Sequence, residues 1–295
     1  MSDIQQITVL GSGTMGLGIA HVSALAGYET RLFDISAEAL ERARATIHGN
    51  LDKGVARGKV EGAAAAAAKE RIGLETEIAP AVAAADLVIE AVPESLDLKI
   101  RIFKEVVASC PAGALLTSNT SGLSISEMAA ATDRPERFAG MHFFNPVHIM
   151  RLIELVRGSK TSEETLETLR EVGQRMGKEL VTVNESPGFV TSRINALIGN
   201  EAFRMLEARV ASPEDIDKAL KLGLNHPMGP FEMVDLVGLD IRLSILDFLH
   251  ATLGETYRPT QLMRDYVDAG RLGRKTGRGV YRYDDNGNRL EEADA

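Results

Sequence analysis

Short apolar runs alternate with longer segments of helical spacing through the first 185 residues. Ile7-Thr8-Val9-Leu10 predicts a buried strand, and the glycine-rich turn behind it opens a helix that ends near Gly27. Thr30 to Asp34 predicts a second strand, with Ser36 as the N-cap of the long helix that follows. Further buried strands are expected at Leu87–Val92, Ala114–Ser118, Ala139–Phe144, Leu152–Val156 and Leu180–Val183. Strands alternating with helices of this length argue for βαβ units and a mainly parallel sheet. The stretch from Ala37 to Arg71 is long for one crossover and is expected to project as a helical hairpin. Its run Ala63 to Ala68 suits a solvent-exposed helix, because alanine has the highest helix propensity.

The pattern changes at Asn184-Glu185-Ser186-Pro187-Gly188, where proline and glycine end the last strand. Everything beyond reads as helical. Ser212-Pro213-Glu214-Asp215 has the cap, first-turn proline and acidic first turn of a helix start. His226 to Pro230 breaks the chain, and Pro230 can begin the next helix. The expected architecture is therefore a Rossmann-type, doubly wound α/β domain over residues 1–185, carrying the hairpin insertion. An all-α domain over 186–295 follows it.

Composition narrows the partners. A formal charge of -9 over 295 residues argues against DNA or RNA as the main ligand, since polyanion binding normally needs a basic excess. The single cysteine, Cys110, excludes an internal disulfide and any cysteine-based metal cluster, which fits a reducing cytoplasm. No apolar run approaches the roughly 20 residues needed to cross a bilayer, so no membrane partner is expected.

Gly11-Ser12-Gly13-Thr14-Met15-Gly16 is a G-x-G-x-x-G turn, a weak motif on its own. Here it follows an expected strand, opens a helix and has Asp34 at the end of the next strand. Gly11 permits the tight turn, Gly13 lets the backbone approach a pyrophosphate, and Gly16 permits close helix–strand packing. The helix N-terminus supplies N–H groups and a positive dipole end for phosphates. A carboxylate at Asp34 accepts hydrogen bonds from ribose hydroxyls and repels a 2'-phosphate, which favours NAD over NADP. FAD shares the fingerprint.

Three further segments carry possible chemistry. Ser118-Asn119-Thr120-Ser121-Gly122 follows a strand and so lies at the carboxyl edge of the sheet, where ligands bind, although an ordinary Ser/Thr turn has the same look. His142 sits on an apolar strand just before a break, where a satisfied core histidine is the common case. Glu154 lies in the apolar centre of Leu152 to Val156, and unless it faces water it needs a partner, because a buried unpaired charge is costly. A neighbouring histidine would explain both residues, as a base and its orienting carboxylate.

Together with the glycine turn, these segments resemble the L-3-hydroxyacyl-CoA dehydrogenase family, which includes bacterial 3-hydroxybutyryl-CoA dehydrogenases. The resemblance covers nearly the whole chain. Its marks continue through Glu90-Ala91-Val92-Pro93-Glu94, Ser118 to Ser121, His142 to Pro146 and Pro187-Gly188-Phe189. They run on through Asn200-Glu201-Ala202, Asp215-Ile216-Asp217, His226 to Pro230 and Lys275-Thr276-Gly277.

The resemblance implies NAD-dependent, reversible oxidation of a short-chain (S)-3-hydroxyacyl-CoA. It makes His142 the general base for the C3 hydroxyl, Glu154 its orienting carboxylate and Ser121 a hydrogen-bonding partner of the substrate oxygen. Ser12, Thr14 and Met15 join the glycines and Asp34 at the cofactor; Glu94, Lys99, Ser121, Asn145 and Lys275 match positions on its cleft side. The family also implies a homodimer. One position departs from the pattern: an asparagine usually precedes the arginine after the Pro-Gly-Phe motif, and here that place holds Ser192. Either Ser192 keeps the role, with water filling the gap, or Asn195 takes it over from the same helical face.

An acyl-CoA also needs cations for its phosphates. Lys53, Arg57 and Lys59 lie on the hairpin, and Lys53 and Arg57 share a helical face, where a bound phosphate would relieve their repulsion. A charged face is otherwise usually just solvated. Two alternatives remain, a dehydrogenase of a free hydroxy acid such as gulonate, and a non-catalytic NAD-binding protein.

Overall fold

The computed structural model of the protein describes residues 4–290. They fall into two compact units, the first running to Phe189 and the second starting at Val190.

The first unit is one eight-stranded sheet with helices on both faces. Its strands are β1 (Gln6–Leu10), β2 (Glu29–Phe33), β3 (Ile72–Glu75), β4 (Leu87–Glu90), β5 (Leu115–Ser118), β6 (Phe138–Phe143), β7 (Leu152–Arg157) and β8 (Glu179–Asn184). They are ordered β3-β2-β1-β4-β5-β6-β7-β8, and every pair is parallel except β6 with β7. Side chains alternate between faces with period two. Ile7, Val9, Leu87, Ile89 and Leu115 therefore pack into one apolar layer, while Leu10, Val88 and Leu116 pack into the other. Near-continuous apolar runs are what burial on both faces demands.

Seven of the eight strands were legible as apolar runs. β3 was not, since Ile-Gly-Leu-Glu is short and carries a glycine. Gly73 is there because it pairs with Arg31, whose guanidinium a Cβ would meet at 1.8 Å. α1 (Thr14–Leu25) and the long α2 (Ala37–Ala56), with Ser36 capping Ala39 N, follow the expected pattern. α3 (Gly62–Glu70) closes the hairpin, but its alanines are not simply exposed. Ala65 and Ala68, one turn apart, are buried, because small side chains let α3 pack closely against α1.

The crossovers on the far side are α4 (Ile78–Val82), α5 (Leu96–Val107) and α6 (Ile125–Ala130); α7 (Glu163–Arg175) links β7 to β8. In a parallel sheet every strand carboxyl end lies on one edge, so the turns after β1, β4 and β5 are neighbours there.

The second unit contains α8 (Thr191–Glu207), α9 (Pro213–Gly223), α10 (Pro230–Val237), α11 (Leu239–Leu253) and α12 (Gln261–Asp268). Ser212 caps α9, and Pro213 and Pro230 open their helices as their spacing predicts. The domain is helical, as its pattern predicts; beyond α12, isolated antiparallel bridges among Gly273, Arg278, Arg282, Tyr283 and Arg289 accompany a single 3-10 turn at Arg274–Thr276. Two buried carboxylates hold that segment. Asp235 accepts from Val280 N, Tyr281 N and the Tyr283 hydroxyl, and Asp217 accepts from Phe231 N, Glu232 N and the Tyr281 hydroxyl. Among the described residues no helix is long and apolar enough to cross a membrane.

Candidate active site

The glycine turn joins β1 to α1. Gly11 has φ +98°, and a Cβ on it would sit 2.7 Å from the Ala91 carbonyl oxygen at the end of β4. Gly16 is needed more strictly, since its Cβ would lie 1.7 Å from the Gly11 carbonyl oxygen. Gly13 differs from both: a Cβ there would meet nothing within 4 Å. Internal packing therefore does not demand this glycine, whereas close approach of a ligand to the backbone does. It caps α1, whose first turn carries no acidic side chain to compete with a bound anion.

Asp34 follows β2 and faces the same turn. Its Oδ2 accepts from Ser12 N (2.9 Å) and Ser12 Oγ (2.7 Å), and Oδ1 accepts from Ser36 N (3.1 Å). Burial raises its pKa, but the Ser12 hydroxyl and amide, with the amides of Ser36 and Ile35, outweigh it and hold the carboxyl below its ordinary value. Asp34 thus stays ionised, with acceptor capacity left chiefly on Oδ1. Beside it lies a cavity of about 320 Å³ lined by Gly13, Thr14, Leu17, Asp34, Arg42 and Thr46. Open backbone, helix dipole and ionised carboxylate together fit the phosphate and ribose of a dinucleotide.

The next carboxyl ends along the edge belong to β4 and β5. Glu90 ends β4 with its side chain fully buried, and accepts from Val92 N (2.6 Å), Lys99 Nζ (2.6 Å) and Ser118 Oγ (2.5 Å). Burial pushes its carboxyl above the ordinary range, against the pull of Lys99. Lys99, equally buried, reaches on to Glu94 Oε2 at 3.2 Å. Glu94 in turn accepts from the Thr120 hydroxyl and from Ser121 N (3.0 Å). Ser121 is exposed at the tip of the loop after β5. Asn119 fixes the base of that loop, its Oδ1 accepting Phe143 N at 2.8 Å.

Phe143 adjoins His142. His142 and Glu154 stand directly opposite in the antiparallel β6–β7 pair, so their side chains share one face. His142 Nδ1 lies 2.8 Å from Glu154 Oε2, with Glu154 fully buried and the histidine nearly so. Phe144 and Phe189 flank the imidazole at 4.5 and 5.9 Å between ring centroids. With Nδ1 engaged, Nε2 is the ring nitrogen left to exchange a proton.

The hairpin cations meet in a larger cavity, of about 740 Å³. Lys53, Arg57 and Lys59 line it together with Arg151, Arg175 and Lys178, and no carboxylate does. Arg151 pairs with Glu179, Arg175 bonds Ala26 O, and Lys178 holds the carbonyls of Val147 and Met150. Lys53, Arg57 and Lys59 have no carboxylate partner among the described residues. His21 and His148 stack at its wall, 5.4 Å apart, and burial, then His148 and Lys178, lower the His21 pKa to about 4.

The remaining expected site residues are placed as follows. Asn145 is exposed beyond β6, preceding a cis Pro146. Lys275 pairs with Asp240 within the second unit, at 2.6 and 2.7 Å. Ser192 and Asn195 lie one turn apart near the start of α8. The sequence marked the segments of Glu90 and Asn119 without giving either residue a role, and gave no sign of His21 or His148. Glu90 falls inside the expected strand Leu87–Val92, which in the structure ends at Glu90 itself. The histidines meet only through folding, from α1 and the β6–β7 loop.

Comparison with known proteins agrees with this geometry. Residues 6–186 match the model of the 3-hydroxyacyl-CoA dehydrogenase NAD binding domain, and 188–283 that of the 3-hydroxyacyl-CoA dehydrogenase C-terminal domain. The chain is 44% identical to a probable 3-hydroxybutyryl-CoA dehydrogenase of Bacillus subtilis, over 96% of this chain and 99% of the other. It is 46% identical to 3-hydroxybutyryl-CoA dehydrogenase of Bradyrhizobium diazoefficiens, over 95% of this chain and 96% of the other. The crystal structure of an (S)-3-hydroxybutyryl-CoA dehydrogenase from Ralstonia eutropha superposes with a TM-score of 0.92 at 43% identity, covering 96% of this chain and all of that one.

The Asp34 geometry gives the first expected outcome. The wild-type protein should bind NADH much more tightly than NADPH, because a carboxylate held ionised repels a 2'-phosphate. Asp34→Ser should narrow that preference, chiefly by weakening NADH. Fluorescence titration of both nucleotides checks this, and equal affinities in the wild type would refute the assignment.

Proposed function

This chain belongs to the 3-hydroxyacyl-CoA dehydrogenase family, and from that premise we infer that it oxidises short-chain (S)-3-hydroxyacyl-CoA reversibly to 3-ketoacyl-CoA with NAD. The observation that carries the reading is the buried His142–Glu154 pair beside the loop that presents Ser121. NAD, when bound, supplies the hydride acceptor. Gly11 to Gly16 and Asp34 would hold it.

In oxidation His142 Nε2 takes the proton of the C3 hydroxyl. Glu154 keeps Nδ1 protonated and stabilises the positive charge that the ring then carries. Ser121 donates to the substrate oxygen, and this matters most in reduction, when negative charge builds there. In that direction the imidazolium returns the proton. The phosphates of the acyl-CoA occupy the cavity of Lys53, Arg57 and Lys59, whose charges have no carboxylate partner among the described residues. A free hydroxy acid carries no phosphates for this cavity, and a non-catalytic NAD-binding protein would have no use for the His–Glu pair.

The same inference places the chain in the cytoplasm, as a homodimer. Its one cysteine is buried, and the second unit exposes Val210, Leu222, Leu224, Ile241 and Phe248.

NADH oxidation with acetoacetyl-CoA, beside longer 3-ketoacyl-CoA substrates and free 3-keto acids, tests the reaction. Turnover is expected with the CoA esters and not with the free acids. His142→Gln should lower kcat by about 10²- to 10⁴-fold while leaving NADH affinity nearly intact. Near-normal turnover in that variant would remove His142 as the base.

Ser192 holds the position where the family usually carries asparagine, and we assign it the contact with the substrate carbonyl. Ser192→Ala should then lower kcat/KM by about 1 to 2 kcal/mol, with little effect from Asn195→Ala. The reverse ranking would show that Asn195 has taken the role one turn along α8. No loss in either variant or in the double would leave the substrate oxygen to His142 and Ser121.

A further inference from the structure

Burying the Glu90–Lys99 pair strips both ions of water, and an apolar pair of similar volume would hold the strand ends at least as well. An apolar pair could not orient Glu94. Lys99 bridges the two carboxylates, at 2.6 Å from Glu90 and 3.2 Å from Glu94. Glu94 therefore stays turned towards the Thr120 hydroxyl and the Ser121 amide. Glu90 reaches the same loop by two further routes. Its Oε2 accepts the Ser118 hydroxyl, and its own carbonyl accepts Asn119 N at 2.8 Å. Asn119 then holds the backbone next to His142. The buried side chain thus ties the end of β4 to the loop that carries Ser121, while the main-chain carbonyl of the same residue links that loop, through Asn119, to the strand that carries the base.

We propose that Glu90 is a positioning residue for the reaction, acting through Lys99 and Glu94 to set the Thr120–Ser121 backbone and with it the Ser121 hydroxyl. The proposal rests on the reading of Ser121 as a contact to the substrate oxygen. Without the Glu90 charge, Lys99 draws Glu94 to itself, and Glu94 releases the amide and hydroxyl of the loop. The chain keeps its Asp34 site and its His142–Glu154 pair throughout.

A double-mutant cycle with Glu90→Gln, Ser121→Ala and the combination tests it, read as kcat/KM for acetoacetyl-CoA reduction. Glu90→Gln is expected to lose about tenfold on its own, and to cost almost nothing further once Ser121 is alanine. Losses that multiply would show that Glu90 acts elsewhere and overturn the proposal. Hydrogen exchange in the cofactor-free protein gives a second readout. Residues 118–123 should lose protection in Glu90→Gln while β1 and α1 keep theirs, and unchanged protection of the loop would also overturn it. Should Ser121→Ala retain full activity, the substrate contact itself fails and the proposal falls with it, whatever the exchange shows. If Glu90→Gln does not fold, E90Q/K99M removes both buried charges together and carries the same cycle.

Discussion

A carboxylate sealed inside an apolar layer must find a cation or a donor, and the candidate active site is arranged around that constraint. Glu154 lies at the centre of β7, fully buried. The sheet is parallel everywhere except between β6 and β7, and that one reversal puts His142 directly opposite. In an antiparallel pair, opposed residues point to the same face and their Cβ atoms approach to about 5 Å. The bond from Nδ1 to Oε2 at 2.8 Å is therefore a product of strand register, with no loop needed to make it. A slip of one residue in β7 would turn Glu154 to the opposite face and leave both groups unpaired.

The same logic recurs along the carboxyl edge. Asp34, Glu90 and Glu94 are each held by several donors, and each connects two segments far apart in sequence. The glycine turn is thus tied to the end of β2, and the end of β4 to the β5 loop and on to the β6 strand, by polar bonds. Apolar packing fixes the layers behind them. Such bonds are directional, so they fix orientation as well as distance, which proton transfer between heavy atoms requires. The cation cavity works by the opposite principle. There Lys53, Arg57 and Lys59 have no carboxylate partner among the described residues, and the proposed acyl-CoA phosphates would supply the missing charge.

Local patterns were legible in the sequence; convergence was not. The turn at Gly11 to Gly16 and Asp34 can be read because its parts are joined by one helix and one strand. Glu154 announced its need for a partner by its apolar neighbours alone, and His142 was the natural candidate twelve residues earlier. Glu90 lies in an equally apolar run, yet of its partners only Val92 N is local; Lys99 and Ser118 come from α5 and β5, so its neighbourhood does not show it as a hub. β3 hid behind Gly73, whose reason is the Arg31 side chain of the next strand. The exposed-helix reading of Ala63 to Ala68 holds for the helix and for Ala63, Ala64 and Ala66, but not for Ala65 and Ala68, whose small side chains serve close packing.

The claim on which the rest depends is that a buried carboxylate makes His142 a working base. The most direct measurement is kcat for acetoacetyl-CoA reduction by Glu154→Gln, an isosteric change that removes the charge and can donate where the carboxylate only accepts. The account predicts a fall of about 10²- to 10⁴-fold, because the imidazole loses both its tautomer control and the stabilisation of its charge. A kcat close to that of the wild type would contradict it, and would mean that the 2.8 Å pair serves the fold and not the reaction.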